Sequence, residues 1–186
     1  MNRRAAVTLT GLLTTTLLLA GCGGDDADTA DGGAEAGAAD HSSMDVMAMN
    51  DPDATPAYDV DGAAEGAFTV LDSAPPGSED VAGEAWLAQD GGTTVSVELS
   101  GLEPGATYMA HLHAEPCGTD DGGPHFQFEV GGEEVPPNEV HLGLEADDEG
   151  NATATTTNDR EVGDGAPSIV VHPTDLPDNR LVCADF

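Results

Sequence analysis

From Ala63 to Phe186 the chain carries no apolar repeat of helical period, and this limits its fold more than any other feature. It carries instead a series of short runs, alternating or continuously apolar, with Gly, Pro and Asp between them. Thr94-Val-Ser-Val-Glu-Leu99 is the clearest, with Val95, Val97 and Leu99 on one face of a strand. Comparable runs are Phe68–Leu71, Glu84–Leu87, Tyr108–His113, Phe126–Val130, Glu139–Leu144, Asn151–Thr157, Ser168–His172 and Arg180–Ala184. Such segments bury their faces against one another, so the expected class is all-β, a sandwich or barrel of about eight antiparallel strands. About 120 residues are enough for one core. Trp86, the single Trp, is expected to fill it.

The N-terminus follows a different logic. Arg3 and Arg4 precede a charge-free, mostly apolar run from Ala5 to Ala20, which ends in Leu19-Ala-Gly-Cys22. Residues 1–21 read as a secretory signal peptide, too short and wrongly flanked for a transmembrane helix. The ending resembles the bacterial lipobox, which implies that Cys22 is lipidated and becomes the mature N-terminus. The chain is then expected to be exported and held on the outer face of the bacterial cell membrane through Cys22. Residues 22–62 are mainly Gly, Asp, Ala, Ser and Pro and are expected to form a disordered acidic tether. Residues 63–186 are expected to form the folded domain. Within the tether, His41, Met44, Met47 and Met49 form a patch whose donors suit Cu(I). The alternative is a weakly apolar stretch of linker.

Without residues 1–21 the chain sets 36 acidic residues against Arg160 and Arg180 alone, a formal charge of −34. Such a surface rejects nucleic acid, which needs Lys and Arg to displace counterions. It also repels anionic lipid, so attachment to a membrane falls to the lipid anchor alone. Among the Cys residues, lipidation of Cys22 leaves Cys117 and Cys183, and in an exported protein these are expected to be bonded to each other.

Histidine is scarce, and three of the six fall within Met109-Ala-His-Leu-His-Ala-Glu-Pro-Cys117 and the following Gly-Gly-Pro-His-Phe126. In a strand His111 and His113 project to the same face, about 7 Å apart along the backbone, as two imidazoles sharing one metal require. His125 follows a Gly-Gly-Pro turn that can bring it back over that strand, and His172 ends the apolar run Ser-Ile-Val-Val. Cys117 lies in the loop between the two histidine groups, where a bond to Cys183 would clamp that loop to the last strand.

Taken in order, SGLEPGATYMAHLHAEPC, GGPHF, SIVVH and RLVC resemble the copper-zinc superoxide dismutase family over roughly Ala63 to Phe186. The resemblance implies a Greek-key β-barrel or sandwich. It implies copper held by His111, His113, His125 and His172, and a Cys117–Cys183 disulfide. Superoxide would be the substrate, guided by Arg180, while His125 leaves the metal on reduction and carries a proton. The chain departs from the zinc-bearing members. Between Phe126 and Glu145 the only further His is His141, and the His-x-Gly-Asp spacing is absent. A structural zinc normally takes four ligands, so zinc is not expected, and His141 is expected at a surface or sheet edge. Glu129, Glu133 or Glu134 is expected to orient His125. Only seven residues separate His172 from Arg180, Asp175 among them as a turn former, where zinc-bearing members carry a longer loop. These departures resemble the copper-only branch and imply a more open site. The competing reading is a lipid-anchored copper-binding protein for storage or delivery, without turnover. Arg180 favours the enzyme, being one of two basic residues outside the signal peptide.

Overall fold

Nine antiparallel strands form two sheets in the computed structural model, which describes residues 45–186. In the first sheet β1 (Ala64–Ala67), β3 (Ala82–Gln89), β4 (Thr93–Ser100) and β7 (Ala152–Asn158) lie in the order β1-β3-β4-β7. The second holds β2 (Thr69–Val70), β9 (Val182–Asp185), β8 (Ser168–Pro173), β5 (Thr107–His113) and β6 (His141–Glu145), in that order. β4 neighbours β7, and β5 neighbours β8, although neither pair is consecutive. The chain therefore crosses between sheets before returning, as in a Greek key. The sheets do not close into a barrel, and the sandwich form of the expected fold is the one realised.

Alternation along the strands builds the core. Val95, Val97 and Leu99 of β4, Tyr108, Ala110 and Leu112 of β5, Leu142 and Leu144 of β6, and Ile169 and Val171 of β8 meet between the sheets. The opposite residues of β5, β6 and β8 therefore lie on the outer face of the second sheet: Met109, His111 and His113, then His141 and Gly143, then Val170 and His172. This parity places four histidines on one surface.

Three expectations need correction. Phe126–Val130 is not a strand. Phe126 and Phe128 do pack against the core, but side chains take up the backbone around them: Glu129 N donates to Asn138 Oδ1 and Gly131 N to Gln127 Oε1. Trp86 is not in the core. It lies on the outer face of the first sheet, between the inward Ala85 and Leu87, and Tyr58 meets it edge-on at 5.2 Å.

The third correction concerns the tether. Residues 1–21, expected to be a signal peptide, and the first part of the expected tether, residues 22–44 with Cys22, His41 and Met44, lie outside the described residues. Residues 45–62 are folded against the sheets. Asp45 caps a 3-10 turn, Val46–Met49, that rests on β6. A Cβ at Gly143 would come 2.1 Å from Val46 O, so only glycine lets the segment approach so closely. Asn50 then grips the free edge of β6, donating to Gly143 O at 2.8 Å and accepting from Gly143 N at 2.9 Å. The chain crosses the seam to β7, where Thr156 Oγ1 donates to Met49 O and Asp51 N to Thr155 O. It continues over the first sheet, where Ala57 N donates to Ser96 Oγ. The strap thus occupies two sheet edges that would otherwise present unpaired backbone groups. Its composition hides this, because most of its bonds use backbone atoms and one asparagine.

Candidate metal centre

On the outer face of the second sheet, β5 and β8 run antiparallel with Met109 opposite His172 and His111 opposite Val170, while His111 also faces His141 of β6. The loop after β5 turns back so that His125 forms a bridge with His113, fixed by Phe126 N donating to Leu112 O and Ala114 N to Pro124 O. Gly122 (φ +101°) makes that return possible: a Cβ there would stand 2.8 Å from Val170 Cγ2. His111, His113, His125 and His172 converge, and each offers a ring nitrogen within 4.8 Å of the others'. Ring centroids are 4.1 Å apart for His111 and His125 and 5.7 Å for His113 and His172. The four residues singled out in the sequence are therefore brought together.

The second nitrogen of three rings is engaged by the protein. His113 Nδ1 lies 3.0 Å from Gly123 O, and His172 Nδ1 lies 3.1 Å from Asn179 O. A carbonyl only accepts, so both Nδ1 atoms carry the proton and each Nε2 keeps its lone pair. His113 Nε2 and His172 Nε2 are buried without a hydrogen-bond partner. Burial is the main reason that His113 titrates far below the usual histidine range, at about 2, and His172 at about 4, with the neighbouring His125 adding to both shifts. His111 is lowered as well, first by burial and then by the other histidines. A cluster of imidazoles in which the buried Nε2 atoms of His113 and His172 keep unpartnered lone pairs fits a metal ion of the imidazole-binding class. His125, with 28 % of its side chain exposed, marks the side open to solvent.

His125 is oriented by a carboxylate, but by Glu139 rather than by the expected Glu129, Glu133 or Glu134. Glu139 is 1 % exposed and accepts from His125 Nδ1 at 2.9 Å, His141 Nε2 at 2.8 Å and Gln127 Nε2 at 2.8 Å. Burial alone would raise its pKa, but the hydrogen bonds from His125, His141 and Gln127 outweigh it and hold the carboxyl below the usual carboxylate range. His141 does stand on a sheet edge, at the start of β6, but it is not a surface residue. It is 1 % exposed, and burial lowers its pKa against the opposing pull of Glu139. The signal for both was present: Glu139 and His141 stand two apart, and strand alternation gives them one face. His125, Glu139 and His141 make a second group of donors close enough for a metal, sharing His125 with the first. It offers three ligands rather than the four of a closed zinc site.

Arg180 reaches the same loop from the β8–β9 connection. Its Nη1 donates to Asp120 O and, at 2.9 Å, to Asp121 O; Nη2 donates to Gly123 O at 2.8 Å. Gly123 O is also the acceptor for His113, so Arg180 and His113 share one carbonyl. Cys117 and Cys183 are bonded, S–S 2.02 Å, which ties the loop to β9 as expected. Asp175 forms no part of the cluster.

Among solved structures, a Cu/Zn superoxide dismutase from Brucella abortus superposes with a TM-score of 0.50 at 20% sequence identity, covering 66% of this chain and 98% of that one. The likeness is one of fold. No family model and no curated protein matches the sequence.

Proposed function

We propose that this chain is an extracytoplasmic, copper-dependent superoxide dismutase that works without zinc, exported and anchored through Cys22. The observation that carries the reading is the convergence of His111, His113, His125 and His172, with His113 Nε2 and His172 Nε2 buried and unpartnered. The dismutase-like fold and the resemblance of the sequence motifs support the same substrate. Copper, when bound, supplies one-electron exchange with superoxide, accepting an electron from one molecule and returning it to the next.

The chain's own residues do the rest. Gly123 O and Asn179 O hold two imidazoles in the ligating tautomer, so no proton has to leave either ring. Glu139 holds His125 from Nδ1 and leaves Nε2 for the cluster. His125 Nε2 would be one ligand of the metal and, as the resemblance implies, the proton carrier, with Glu139 fixing the ring through Nδ1 and the exposed edge of His125 open to water. Arg180 brings positive charge beside the cluster for an incoming anion.

The test is loading of the exported-length chain with Cu(II), followed by electron paramagnetic resonance and stopped-flow superoxide decay. Nitrogen hyperfine structure and rapid decay, cut at least tenfold or so in Arg180→Ala, are expected. Nitrogen-ligated copper with no turnover would shift the reading to copper storage or delivery. Arg180→Lys should restore part of the rate by charge but not the grip on three carbonyls.

A further inference from the structure

At one end of the sandwich, the loops before β3, before β5 and after β8 enclose a cleft of about 450 Å³. That volume lies within the range of small-molecule pockets. None of the four clustered histidines lines it, nor do Glu139 and Arg180. Its walls are largely apolar and stiff, with Pro75, Pro76, Pro104 and Pro173 beside Val81 and Leu181. Proline rings fix their backbone, so the cleft is preformed rather than assembled around a ligand.

The polar groups of the lining are of one kind. Thr174 Oγ1 donates to Thr107 O at 3.0 Å, so across the 2.6 Å contact between the two hydroxyls Thr107 Oγ1 is the donor. Both hydroxyl protons are thus spent within the protein, and the two oxygens offer a ligand only lone pairs. Glu103 and Asp175 add two exposed carboxylates. Tyr108, 7 % exposed, also lines the cleft, and its hydroxyl accepts from Glu103 N at 3.2 Å. Burial raises the pKa of that phenol against the pull of the Glu103 N–H, and the Glu103 and Asp175 carboxylates raise it further. The two charges therefore bear on one place. No basic side chain lines the cleft to offset them. Arg160 sits over the Phe128 ring, and Arg180 is bonded to carbonyls of the 120–123 loop.

We propose that this cleft binds a small organic cation, a primary ammonium on a compact aliphatic body. Its N–H groups donate to Thr107 Oγ1 and to the Glu103 and Asp175 carboxylates, and its hydrocarbon lies against the prolines and Leu181. Acceptors that are charged and lack protons of their own favour a ligand with both charge and donors. A quaternary ammonium has the charge without the donors, and an alcohol has a donor without the charge. The inference is independent of the copper reading.

The test titrates residues 22–186, metal-free so that an amine has no metal to ligate, with three probes: cyclohexylammonium, cyclohexyltrimethylammonium and cyclohexanol. Amide resonances of Gly77, Thr107, Thr174 and Asp175 are followed by NMR in about 0.15 M salt, which screens diffuse attraction to the acidic surface. Cyclohexylammonium should move these resonances saturably, and each of the other probes should bind on the order of tenfold more weakly. Glu103→Gln/Asp175→Asn should weaken cyclohexylammonium by a similar factor. Glu65→Gln/Glu84→Gln removes the same charge from the outer face of the first sheet and should leave the affinity unchanged. No saturable shift in the cleft, equal affinity for the three probes, or equal weakening by the two variants would overturn the site.

Discussion

Glu139 has an unusual environment for a carboxylate in this acidic chain: it is buried and meets three donors, two of them imidazoles. Glu139→Gln replaces one acceptor oxygen by a donor facing other donors, which leaves a buried group unpaired. Copper affinity, measured by competition with a chelator, is expected to fall about ten- to a hundredfold. Unchanged affinity would remove Glu139 from the site. The ligand histidines carry a second consequence, for metal-free protein. His113 and His172 stay neutral in the fold down to about 2 and about 4, whereas in the unfolded chain they take up a proton near 6.5. Between those values the unfolded state binds more protons, so stability drops as pH falls below about 6.5, by about 1.4 kcal/mol per pH unit for each such histidine. Denaturant unfolding of the metal-free protein at pH 7 and 5 reads this, and equal midpoints would contradict it. At this scale much was legible. The two-residue spacing of His111 and His113 gave their common face, and the same rule would have found Glu139 beside His141. Glu139 is harder to read because it precedes β6, while Glu129, Glu133 and Glu134 stand nearer the Gly-Pro-His turn in the sequence.

Among the elements, the strands were the most legible, because alternation around Val95-Ser-Val97 or Leu142-Gly-Leu144 is a direct imprint of a half-buried sheet. The strap was not legible. Residues 45–62 bring one fully buried side chain, Ala57, and bind mainly through backbone groups and Asn50, to which hydropathy is blind. The Phe126–Val130 segment erred the other way, since Phe126 and Phe128 alternate like a strand while Asn138 and Gln127 hold the backbone in turns. The strap has a sharp test in Gly143→Ala. The new methyl would meet Val46 O, so residues 45–50 must lift, and hydrogen exchange should quicken at Asp51, whose N–H bonds Thr155 O. Protection as in the wild type would show that the strap is not seated as described. Asn50→Ala should free the same edge at a cost of about 1–3 kcal/mol. A fragment starting at residue 63 lacks the strap altogether, and assays belong on the longer chain.

For the whole molecule the governing quantity is charge. Residues 22–186 carry a formal −34, which under the proposed function would repel superoxide, while Arg180 would attract it locally. At 0.15 M salt the Debye length is about 8 Å, so distant carboxylates are screened more than an arginine beside the site. Dismutation is therefore expected to rise from low to moderate ionic strength. A steep fall would mean that attraction over long range dominates.

The central claim is a zinc-free copper dismutase. Its most direct measurement is metal content by elemental analysis and superoxide turnover, on one sample of the exported-length chain loaded with copper and zinc together. One copper per chain, little zinc and rapid turnover are the expected result. Stoichiometric zinc, or turnover that appears only with zinc present, would contradict the account.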